Sequence, residues 1–210
     1  LAEQFFGKKC KTLTLDLWGH GKSAEPAAGF GVYEYAAALT ELLKKLEVEN
    51  TVLIAHSFGG RVAIIIAAKH PELVDKLVLV DSAGIKPRFS IIKRAKQLHF
   101  KFVRALYKRG VVRNFDEGRY GSADYKKLSE GMRQNFVKII NTCLACELPK
   151  INAETLIIWG GSDYDTPMYM AKKLYKGIRR SKLVVFEQAG HYSYLDSSDK
   201  FLSAVDGFIS

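Results

Sequence analysis

The chain has 210 residues, 48% of them hydrophobic and 26% charged, with a formal net charge of +10 at pH 7. That length and apolar content suit one domain with a substantial core and an inserted subdomain. No apolar run approaches the roughly 18 residues of a membrane span, so no spanning helix is expected and a cytoplasmic location is the default. Three cysteines, Cys10, Cys143 and Cys146, make neither a disulfide framework nor a zinc site. They read as reduced and structural, with the Cys143-x-x-Cys146 pair on a helical stretch.

Residues 1–10 resemble the end of a helix followed by a turn at Gly7. Lys11-Thr12-Leu13-Thr14-Leu15 alternates like a strand, giving a first strand over 12–16. Gly19-His20-Gly21-Lys22-Ser23 ends like a phosphate-binding loop, but Asp16 stands where the opening glycine is required, which argues against a nucleotide site. A helical pattern over 32–47 leads to a second strand over 51–55. The apolar run Val52-Leu53-Ile54 is then followed at once by Ala55-His56-Ser57-Phe58-Gly59-Gly60 and the helical run Val62–Ala68. Ser57 thus falls on a sharp strand-to-helix turn. Such a turn lifts a hydroxyl above the sheet's carboxyl edge, beside the free N–H groups that open the next helix.

Further strands are expected at 76–81, 154–159 and 182–186, and further helices at 60–69, 168–178 and 197–208. This alternation predicts an α/β fold with a mainly parallel sheet covered on both faces. Between the third and fourth strands lies a long insertion, about 85–150, with two amphipathic patterns. Ile91, Ala95, Leu98, Phe102 and Ala105 share one face, and Met132, Phe136, Ile139 and Cys143 share another. Gly110, Gly118 and Gly121 punctuate it. From Lys86 to Lys150 there are sixteen Lys and Arg against five Asp and Glu, whereas the remaining residues hold sixteen against seventeen. The basic excess reads first as a solvated outer face, since Lys93, Arg94, Lys96, Lys101, Arg104 and Lys108 fall largely opposite the apolar stripe. Attraction of an anionic substrate, an acidic lipid surface or another polyanion is the competing reading. No nucleic-acid-binding motif is present, so nucleic acid is not an expected partner. Phe89, Phe100, Phe102 and Tyr107 are candidates for an apolar acyl pocket, or for ordinary packing.

Serine is a weak nucleophile at neutral pH, so Ser57 requires a histidine base, and the base requires a carboxylate to fix its tautomer. Among five histidines, His20, His56, His70 and His99 each have a structural explanation. His191 follows the strand-like Leu183–Phe186 and the turn Gln188-Ala189-Gly190, a loop position suited to catalysis. The acid is expected on the loop after Thr155–Trp159, where Asp163 is favoured over Asp165, with Asp81 as an outside candidate.

The segments LDLWGHGKS at 15–23, AHSFGGRVA at 55–63, LVLVDSAG at 77–84, LIIWGGSDYDTP at 156–167 and FEQAGHYSYLD at 186–196 together resemble the α/β-hydrolase superfamily, in order and over nearly the whole chain. The resemblance implies Ser57, Asp163 and His191 as nucleophile, acid and base, and the Phe58 backbone N–H as one oxyanion donor. It also implies a core of 1–84 and 151–210 under a helical cap of 85–150. No cofactor or metal is implied, and a small-molecule carboxylic ester is the expected substrate, cleaved through an acyl-enzyme. A carbon–carbon bond hydrolase or lyase on the same scaffold is the alternative, as is a noncatalytic truncated remnant. The family's second oxyanion donor follows a strand that lies between those at 12–16 and 51–55, and no such strand is visible. By the resemblance the chain lacks its N-terminal part, and three outcomes are expected: a truncated gene product, a separate or omitted N-terminal segment that fills the gap, or a rearranged sheet in which the two flanking strands pair directly.

Overall fold

The computed structural model describes residues 2–87, 91–112 and 128–210. Four strands form one sheet in the order β1 (Thr51–His56), β2 (Val74–Val80), β3 (Glu154–Gly160) and β4 (Ser181–Phe186). All neighbours are parallel, with Val78 opposite Ile54 and Leu156, and Ile157 opposite Leu183. The central strands β2 and β3 are apolar over Leu77–Val80 and Leu156–Trp159 because both of their faces are covered there.

Helices α1 (Ala2–Phe6), α2 (Val32–Lys45), α3 (Phe58–Lys69), α4 (Ile91–Lys108), α5 (Glu130–Asn141), α6 (Tyr169–Gly177), α7 (Ser193–Asp196) and α8 (Ser198–Ile209) are distributed around this sheet. Side chains alternate across a strand, and the core divides accordingly. Leu77, Leu79, Ile157 and Trp159 pack with Ile64, Ile66 and Leu174 on the α2–α3–α6 face. Val78, Val80, Leu156 and Ile158 pack with Phe6, Phe201 and Val205 on the α1–α8 face.

Residues 12–16 depart from expectation. They form no strand, and among the described residues no backbone–backbone hydrogen bond joins them to another segment. Alternation fits a strand surface, but a strand is completed only by a neighbour's ladder. Leu13 and Leu15 accordingly remain 52% and 42% exposed. Direct pairing with β1 does not occur either. Both segments instead line a cleft of about 840 Å³, together with Leu39, Leu43 and Val62. The Asp16 carboxylate accepts the Lys22 N–H and Ser23 Oγ donates to the Asp16 carbonyl, so Asp16 organises the 16–23 turn. A Cβ at Gly21 would lie 2.2 Å from that carboxylate.

The segment between β2 and β3 contributes α4 and α5. Helix α5 is anchored on the core: Met132 and Ile139 are buried, Asn135 donates to the Ala27 carbonyl, and Arg61 of α3 donates to the Thr142 carbonyl. The helix ends at Asn141, so Cys143 and Cys146 lie beyond it rather than on it, and all three cysteines are free and exposed. Gly110 has a φ of 74°, while Gly118, Gly121 and Phe89 lie outside the described residues. Among the described residues no helix is long and apolar enough to cross a membrane.

Candidate active site

Ser57 occupies the turn between β1 and α3 with φ 47° and ψ −110°. A non-glycine residue held at positive φ stores strain and requires support from its surroundings. That support is local: the Ser57 N–H donates to the Val80 carbonyl, and the Ser57 carbonyl accepts the N–H groups of Gly60 and Ala83. Close approach is needed as well, because a Cβ on Gly60 would lie 2.0 Å from Ser82 Oγ. At Gly59 the corresponding atom would meet only the Ala55 methyl, at an ordinary 3.8 Å.

Ser57, His191 and Asp163 come together although they lie far apart in the chain. His191 Nε2 is 3.0 Å from Ser57 Oγ, and His191 Nδ1 is 2.9 Å from Asp163 Oδ2. The Asp163 carboxylate is buried and accepts three further bonds. The N–H groups of Asp165 and Thr166 donate to Oδ1, and the Thr166 hydroxyl donates to Oδ2. Burial pushes the Asp163 pKa upward, but the hydrogen bonds from His191 and Thr166 prevail and hold it below the ordinary value. The hydrogen bond to Asp163 raises the His191 pKa against an opposing effect of burial. Asp165 is exposed and sits outside this relay, though with Asp163 and His191 it could offer a cation ligand atoms within 4.8 Å of one another.

Asp81, the outside candidate for the acid, does different work. Its Oδ1 accepts the Gly160 N–H at 2.8 Å and its Oδ2 accepts the Ser193 N–H at 3.0 Å. One buried carboxylate therefore ties the end of β3, which leads to Asp163, to the loop carrying His191. Desolvation raises its pKa. His56 also has a part that its position beside the serine did not disclose. Its Nε2 lies 2.7 Å from the His191 carbonyl, which makes Nε2–H the donor, and its ring packs against Tyr192 and Tyr194. Burial lowers the His56 pKa and favours the neutral ring.

Phe58 opens α3, and among the described residues its N–H has no backbone acceptor, as expected for a first-turn amide. Its ring stacks on His20 and meets Tyr35 edge-on. Of the residues overlooked in the sequence, Thr166 left a readable trace: a threonine three places after Asp163 suits a side-chain-organised turn. The bonds made by His56 and Asp81 cross between elements and leave none. A separate cavity of about 810 Å³ between β4 and α8 is lined by residues such as Val184, Phe186, Gln188 and Lys200, and by none of the side chains of this candidate site.

Known proteins resemble this chain throughout. An uncharacterized protein of Mycobacterium tuberculosis is 26% identical across 92% of this chain, which spans 66% of that relative's length. The 2-hydroxymuconate semialdehyde hydrolase of a Pseudomonas species is 28% identical across 97% of this chain and 77% of its own. In structure, the chain is similar to an esterase from Exiguobacterium antarcticum, with a TM-score of 0.70 and 25% identity over 92% of this chain and 79% of the esterase. A model of the alpha/beta hydrolase family matches residues 1–204. With the parallel sheet and the strand-to-helix turn at Ser57, that match establishes that the chain belongs to the alpha/beta hydrolase family.

Proposed function

We propose that this chain is a cofactor-independent serine hydrolase that cleaves a carboxylic ester. The observation that carries the reading is the unbroken contact from Ser57 Oγ through both ring nitrogens of His191 to Asp163, at 3.0 and 2.9 Å. In this mechanism Ser57 Oγ attacks the acyl carbonyl while its proton passes to His191 Nε2. The Phe58 N–H donates to the oxyanion of the tetrahedral intermediate. His191 then returns the proton to the departing alkoxide, leaving an acyl-serine, and next deprotonates the water that releases the acid and restores Ser57. Asp163 keeps the Nδ1 proton in place and stabilises the imidazolium in each half-reaction. Residues 85–150 form a helical cap on a core of 1–84 and 151–210, and a cap excludes water from the reacting centre. Free, exposed cysteines fit a reducing cytoplasmic setting.

A second reading, carbon–carbon bond hydrolysis by the same residues, is favoured by the likeness to 2-hydroxymuconate semialdehyde hydrolase. A fluorophosphonate probe tests the shared nucleophile. Labelling of the folded chain that disappears in Ser57→Ala is expected; a folded chain that never labels supports the noncatalytic remnant instead. Nitrophenyl esters of graded acyl length, assayed beside 2-hydroxymuconate semialdehyde, then separate ester from carbon–carbon cleavage.

A further inference from the structure

Helix α4 has a composition that the hydrolytic site does not require. Between Ile91 and Lys108 there are six Lys and Arg and no Asp or Glu. Its 18 residues span about 27 Å. At a helical pitch Ala95, Leu98, Phe102, Ala105 and Leu106 fall along one side, while Lys101 flanks that side and Arg104 falls opposite it. The apolar side is not consumed by packing, since Leu98 is 55% exposed and Phe102 64% exposed. Helix α5, from the same insertion, carries its buried residues against the core. The two helices therefore divide the labour, with α5 attaching the insertion and α4 presenting an open surface.

We infer that α4 is an interfacial helix that docks the protein on an anionic lipid surface. Leu98 and Phe102 enter the boundary between headgroups and acyl chains, and the cationic side meets the acidic headgroups. An uncharged occupant would satisfy the apolar side alone. An anionic surface satisfies both sides, and the absence of any acidic residue along the helix removes the repulsion that such a surface would otherwise meet. Six charges bar the helix from crossing the bilayer, so it lies in the plane of the interface. The inference does not depend on which bond the enzyme hydrolyses.

The test is co-sedimentation of the full chain with phosphatidylcholine vesicles, with and without phosphatidylglycerol, across a series of salt concentrations. Binding only to the phosphatidylglycerol vesicles, weakening as salt rises, is expected. Paired replacement of Lys101→Gln and Arg104→Gln should lower the partition about thirtyfold, roughly fivefold for each cation. Paired Leu98→Glu and Phe102→Glu should abolish it. Circular dichroism and fluorophosphonate labelling report whether each variant keeps its fold and site, and the two pairs fail by different routes. No binding to phosphatidylglycerol vesicles at low salt overturns the inference, and so does binding that both variants retain. Salt-sensitive retention on RNA without vesicle binding would assign the charge to another polyanion. A dimer that dissociates in Leu98→Glu/Phe102→Glu, again without vesicle binding, would assign the apolar side to a second copy.

Discussion

His191 connects the other two groups of the site, and in the proposed mechanism its ionisation governs when the relay works. To act as the proposed base it must be neutral, and the hydrogen bond that its Nδ1–H donates to Asp163 raises its pKa above the ordinary imidazole value of 6.5. Activity is therefore lost as pH falls through that raised value, and kcat/KM plotted against pH should show an acid limb above 6.5. Asp163→Asn should move the limb downward and lower kcat by about 10³- to 10⁴-fold; a limb that stays in place would remove Asp163 from this role. His56 acts on the same ring through its backbone, by donating to the His191 carbonyl. Its replacement by leucine should lower kcat about ten- to a hundredfold through misplacement of the imidazole, with little change in KM. His56→Gln retains an N–H donor and should recover part of the loss. Equal losses in both variants would show that the ring's packing matters and its hydrogen bond does not. The meeting of Ser57, His191 and Asp163 was legible in the sequence because each follows a strand in a recognisable local pattern. The bonds of His56 and Asp81 were not, because they reach partners 79 to 135 positions away on other elements and no local pattern marks them.

At the scale of elements, legibility followed burial. Strands β2 and β3 announce themselves as continuous apolar runs because helices cover both of their faces. The stretch 12–16 has the alternation of a strand and still forms none, since pairing is a property of two segments and periodicity describes only one. Helices α2, α3, α6 and α8 lie within a residue or two of their predicted limits, where apolar spacing changes abruptly at a glycine, a proline or a polar turn. The cysteine pair was misplaced for a related reason. Apolar spacing continues through Cys143, but α5 has already ended, with Thr142 in an extended conformation.

Over the whole molecule, charge and chemistry occupy different parts of the chain. The β-strand scaffold carries the serine, the imidazole and the carboxylate, while the net positive charge belongs to the insertion between β2 and β3. Loops at one end of a rigid sheet can hold a reacting geometry while an attached segment adapts to its surroundings. Rigidity at that end has a thermodynamic cost, and Ser57 bears part of it with its φ of 47°. Glycine tolerates that backbone freely, whereas alanine, like serine, is strained there. Ser57→Gly should therefore melt higher than Ser57→Ala, by a few degrees if about 1–2 kcal/mol of strain is relieved. Two variants without the Ser57 hydroxyl would then differ in heat resistance, and the gap between their melting curves would measure how tightly this polypeptide is cocked at the residue where its proposed reaction begins.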